Sequence, residues 1–194
     1  MRHRIIAAAA LFLAFSALPA SAQVGITGGW ISADANLEVD GSSVSTEARS
    51  GFQFGASYAT GGVFGIIVGG YYTEKGFRVT GTDEEARLSY IEVPVMGVVR
   101  LPFLERTIGP RLYGGINGGF EVSCKIEGSG NVLGDQGCEN TNTFDFGLKG
   151  GLGLQVLFFG LDASYTYGLT DVAKDDLLKI NNRAWSLALI IGVG

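Results

Sequence analysis

Phe144-Asp145-Phe146-Gly147-Leu148-Lys149-Gly150-Gly151-Leu152-Gly153-Leu154-Gln155-Val156 has a period of two. In an extended chain, successive side chains point to opposite faces. Phe144, Phe146, Leu148, Leu152, Leu154 and Val156 then share one face. Asp145, Lys149 and Gln155 share the other with Gly147, Gly151 and Gly153. That alternation predicts a β-strand with one bulky apolar side and one small, polar side.

The same pattern extends outward in both directions. Leu161, Ala163, Tyr165, Tyr167 and Leu169 oppose Asp162, Ser164, Thr166 and Thr170 across a segment over 161–170. Trp185, Leu187, Leu189, Ile191 and Val193 oppose Ala184, Ser186 and Ala188 in the last, 183–193. Upstream, segments are expected at about 24–33, 49–59, 63–75, 87–101 and 111–122. The third alternates weakly, because both of its faces carry apolar residues. The connections after the first, third, fifth and seventh segments are long and polar, the longest being 123–142. The others are short: Gly61-Gly62 reads as a tight turn, 102–110 as a short one, and another falls near Phe158-Phe159.

An even number of strands with short turns at one end and long loops at the other is the plan of a barrel spanning an outer membrane. The faces agree with it. A soluble barrel turns its apolar face inward, whereas the Gly, Ser and Thr face here suits the crowded lumen of eight strands. Trp30, Tyr58, Tyr71, Tyr165, Tyr167 and Trp185 are expected to form aromatic girdles at the membrane interfaces. The expected fold is therefore an all-β, eight-stranded, antiparallel up-and-down transmembrane β-barrel. Composition fits: 46% hydrophobic residues, only 17% charged, and 31 glycines among 194 residues, with no apolar run after the first residues long enough for a membrane helix.

Arg2, His3 and Arg4 precede a short apolar run, Ile5 to Phe15, and then Ala20-Ser21-Ala22. That order is expected to be a signal peptide over 1–22, cleaved before Gln23 and leaving a barrel domain over 23–194. Loss of Arg2 and Arg4 leaves 12 basic against 19 acidic residues, a net of −7. Such a balance argues against a nucleic-acid partner. The expected location is the cell outer membrane, with its lipid as the first partner.

Several strings resemble PorT-type outer-membrane β-barrel domains of the OmpA/OmpX-like, eight-stranded kind. They are Arg49-Ser50-Gly51-Phe52-Gln53-Phe54-Gly55, Tyr72-Thr73-Glu74-Lys75-Gly76-Phe77, Leu88-Ser89-Tyr90-Ile91-Glu92-Val93-Pro94-Val95 and Gly109-Pro110 with Leu112-Tyr113-Gly114-Gly115. The last is Leu161 to Thr170 followed by Asn182-Arg183. The resemblance covers nearly the whole chain after residue 22. One departure is the end, Gly192-Val193-Gly194, where that family usually has an aromatic residue. The resemblance implies a barrel and, as an alternative role, an outer-membrane subunit of a protein secretion or assembly machinery.

No catalytic chemistry is expected. The only histidine is His3, so Ser–His activation and histidine metal sites are absent after residue 22. Gly150-Gly151-Leu152-Gly153 lacks the Lys-Ser/Thr of a phosphate loop, and no cofactor or metal is expected. Glu74, Glu92, Glu121, Asp145 and Asp162 are expected in the lumen with Arg100, Arg111 and Lys149. Buried charges need partners, so these eight are read as an internal ion-pair network that fills the barrel. Cys124 and Cys138, both expected in the longest loop, suggest one disulfide in an exported chain. Together these features point to a non-enzymatic envelope protein with a structural or loop-interaction role, whose partners are lipid and other envelope or secretion proteins.

Overall fold

The computed structural model describes residues 23–39, 42–44, 46–79, 85–101, 109–127, 144–170 and 178–193. Their strands are β1 (Gln23–Val39), β2 (Ser42–Val44), β3 (Thr46–Ala59), β4 (Phe64–Val79), β5 (Glu85–Arg100), β6 (Gly109–Glu127), β7 (Phe144–Val156), β8 (Phe159–Gly168) and β9 (Leu178–Val193). Each strand from β3 onward pairs antiparallel with the next, and β1 pairs with both β3 and β9. From Val24↔Val193 to Val39↔Leu178 the first and last strands close the sheet. The short β2 pairs only with the tip of β1, at Leu37, Glu38 and Val39, above the part paired with β3. The wall thus has eight staves, and the expected closed, eight-stranded barrel is the observed one.

Closure leaves no sheet edge, so every stave's backbone finds a neighbour, as a hydrocarbon environment demands. The apolar side faces out: Ile26, Phe54, Leu152, Trp185 and Leu189 are all more than half exposed. Thr27, Gln53, Lys149 and Ser186, on the opposite faces of those strands, are buried. The barrel is therefore inside-out relative to a soluble one.

Most staves run further than the sequence pattern suggested, and mainly at one end. β1 reaches Val39, β4 Val79 and β6 Glu127, while β9 begins at Leu178. About ten tilted residues cross a membrane. On β5, outward Ile91, Val93 and Val95 belong to that crossing, and outward Glu85 and Arg87 continue beyond it. Apolar alternation stops where lipid stops, but backbone pairing does not depend on polarity, so the wall continues into water. Register shifts in the β3–β4 pairing, between Ala48 and Gln53, and in the β5–β6 pairing, next to Ser89, lie in this upper part. At the opposite end the two described connections, β3–β4 and β7–β8, are tight. Gly62 has φ of 94° in the β3–β4 turn, a conformation suited to glycine, and Leu157-Phe158 join β7 to β8. Residues 1–22, which carry the expected signal peptide, lie outside the described residues, as does most of the longest loop.

Candidate functional site

The lumen is the one interior the barrel offers, and it is filled in tiers. Nearest the long-loop end, Ile31, Ala33 and Ala184 form an apolar cluster. At mid-height lies a charged tier. Lys75 and Glu92 form a salt bridge with both side chains almost wholly buried. Thr73 donates its hydroxyl to Glu92 at 3.3 Å, Asn117 hydrogen-bonds the same carboxylate, and Lys149 attracts it. Lys75 also lies 5.3 Å from the centre of the Tyr90 ring, and Lys149 5.6 Å from that of Tyr71. Towards the short-turn end, Arg111 holds Asp162 at 2.8 Å and Gln155 at 3.4 Å. Ser164 and Ser186 share a hydrogen bond of 2.6 Å. An apolar cluster of Ala59, Ile67, Met96, Val98 and Tyr113 lies beside them.

Glycine makes room for this packing where charges meet. A Cβ on Gly153 would lie 2.8 Å from the Arg111 Nε and closer still to the Asp162 carboxylate. The glycine face of β7 is thus the space into which the Arg111–Asp162 pair fits.

Of the eight charges expected inside, Glu92, Arg111, Asp145 and Lys149 are buried in the lumen. Asp162 joins them through Arg111, and Asp145 accepts a hydrogen bond from the Thr170 hydroxyl at 3.1 Å. Glu121 stands on the inward face opposite Tyr90. Arg100 lies at the short-turn mouth, donating to the Gly62 carbonyl at 3.0 Å. The network is thus divided among several tiers.

Glu74 corrects the expectation. It alternates with Thr73 and Lys75, which are buried, and shares the face of Tyr72. Tyr72 stacks on outward Phe54 with ring centres 5.3 Å apart. Glu74 belongs to an outer rim of ion pairs in which Arg49 reaches Glu74 at 3.1 Å and also binds Glu85. Arg78 lies 3.0 Å from Glu85, and Arg87 lies within 4 Å of both carboxylates. The physical cause is phase: slipping a strand by one residue exchanges its two faces, and the weakly alternating third segment gave no strong phase. The same slip hid Lys75, and it placed Tyr71 in the girdle when Tyr71 is buried in the lumen. Tyr71, Thr73 and Lys75 are in phase with Ile67, a signal that could have found them. Outward arginines cost about 2–4 kcal/mol at the bilayer midplane and little near the interfaces, which explains why this rim sits above the apolar band.

Cys124 also departs from expectation. It lies in β6 opposite Leu88, below the loop, while Cys138 falls outside the described residues. Trp30, Tyr167 and Trp185 do face outward, and Arg183 stacks over Tyr167 at 5.4 Å.

The model of one family, described as outer membrane protein beta-barrel domain, matches residues 15–174. The chain belongs to that family. No curated protein matches it. Among solved structures it is similar to Ail, the attachment invasion locus protein of Yersinia pestis, crystallised with the heparin analogue sucrose octasulfate. Identity there is 20%, over 89% of this chain and 99% of that one, with a TM-score of 0.47. It is also similar to Neisserial surface protein A, at 14% identity over 89% and 97% of the two chains and a TM-score of 0.48. A third is the N-terminal β-barrel domain of Pseudomonas aeruginosa OprF, at 10% identity over 88% and 97%, with a TM-score of 0.40. The family membership places this outer-membrane barrel in the lipid bilayer of the outer membrane.

Proposed function

We propose that this barrel is a non-enzymatic envelope protein that acts through its outer rim and long loops, contacting partners or stabilising the membrane, and not as a channel. The observation that carries this reading is the charged tier. At its level Tyr90, Thr73, Glu92, Lys75 and Leu88 are all at most 3% exposed, which supports a lumen closed to solutes. A disulfide between Cys124 and Cys138 would fasten the longest loop to the top of β6 and present it as a stiffened surface. A signal peptide over 1–22 would direct the chain to export.

A subunit of a secretion or assembly machinery is the second reading. It is supported by the PorT-type strings that β3, β4 and β5 carry in order. One preparation tests both. Native protein extracted from outer membranes in mild detergent is expected to elute without ion conductance in planar bilayers. A stoichiometric protein complex would favour the machinery subunit and a lone barrel the structural role. Stable open channels would refute the sealed-lumen reading.

A further inference from the structure

Below the charged tier the lumen is not completely filled. A cavity of about 60 Å³ opens towards the short-turn end, with Gln23 and Phe158 at its mouth. Thr27, Gln53, Tyr71 and Lys149 lie deepest along its lining. The register places them four or more residues inside the strand ends, Thr27 opposite Gly55 and Lys149 opposite Gly115.

Three polar groups line this closed end. Lys149 is 8% exposed and, among the described residues, forms no hydrogen bond or salt bridge; its contact is the Tyr71 ring. Its attraction to Glu92 is shared, because Glu92 is bound by Lys75. The other nearby carboxylate, Asp162, is bound by Arg111, and Asp145 acts on Lys75 while accepting from Thr170. The Oγ1 of Thr27 and the Oε1 of Gln53 are buried without a hydrogen-bond partner. Buried polar groups are ordinarily satisfied, and a charge is the costliest of them to leave unmet. Ile67, Met96 and Ala188 form an apolar part of the wall, while Ser57, Gln155, Ser164, Ser186 and the paired Arg111 and Asp162 line the rest.

We propose that this blind vestibule is a binding site for a small monocarboxylate of about acetate size, entering from the periplasmic, short-turn end. The Lys149 ammonium and the Thr27 hydroxyl donate to the carboxylate. The short alkyl group lies against Ile67, Met96 and Ala188. A dianion is disfavoured, because one surplus positive charge faces the cavity and Glu92 stands behind it. The site does not depend on what the loops contact.

The test is saturation-transfer NMR with sodium acetate on the full barrel, folded in deuterated detergent at neutral pH and constant ionic strength. Acetate is expected to receive saturation from the protein, and Lys149→Met to weaken binding about tenfold or more, as loss of a charge-assisted hydrogen bond implies. Thr27→Val, nearly isosteric, is expected to weaken it less. It also serves as the reporter if Lys149→Met fails to show the faster gel migration of a folded barrel. The neutral isostere acetamide is expected not to compete. Absence of acetate binding, equal binding of acetamide, or unchanged affinity in folded Lys149→Met or Thr27→Val would overturn the proposal.

Discussion

Replacing Lys75 by methionine tests how the charged tier holds β4 to β5. Methionine keeps most of the side chain's length and apolar contact but removes the ammonium, leaving the Glu92 carboxylate almost wholly buried beside Thr73 and Asn117. Breaking a buried pair by removing one partner typically costs about 3–5 kcal/mol. Lys149 still attracts Glu92, so the lower end, ~3 kcal/mol, is expected. That is on the order of a hundredfold in the folding equilibrium, set against total stabilities of about 5–15 kcal/mol. Glu92→Leu leaves Lys75 with the Tyr90 ring and the attraction of Asp145, so it should cost less. The double variant Lys75→Met with Glu92→Leu removes both charges and is expected within about 1 kcal/mol of the parent. The assay is urea unfolding in phospholipid vesicles followed by tryptophan emission. Trp30 and Trp185, the chain's two tryptophans, both face lipid and move into water as the barrel opens. A Lys75→Met variant as stable as the parent, or a double variant weaker than both singles, would refute the reasoning.

Two further outcomes are expected. Leu157, with φ of 55° in the β7–β8 turn, occupies a conformation costing an L-residue about 1–2 kcal/mol. Leu157→Gly should therefore unfold at higher urea than Leu157→Ala, which loses the same apolar group but keeps its Cβ, and the reverse order would remove the strain argument. If Cys124 and Cys138 are joined, unfolded but unreduced protein takes up no maleimide and reduced protein takes up two, as read by mass; labelling without reduction would show that the loop is not fastened.

Period two in the sequence determined the fold. Phe144 to Val156 sets a bulky apolar face against a glycine-rich face small enough for the crowded lumen of eight strands, so the apolar face is the one left for lipid. Strand number and the alternation of short and long connections followed from the same pattern, and so did the inward placement of Glu92, Arg111, Asp145 and Lys149. Three things were decided only by tertiary structure. The phase of β4 was one: with apolar residues on both faces, pairing with β3 and β5 alone determined that Lys75 and Tyr71 point in and Glu74 points out. The height of the wall was another, since strands continue through Arg49, Arg78 and Glu85 by backbone pairing that no apolar pattern records. The third was which charges meet. Lys75 lies opposite Leu88 in register and Glu92 opposite Tyr71, so their bridge runs diagonally across the lumen wall. Such a contact depends on the closed, staggered geometry of the barrel, which local sequence does not encode.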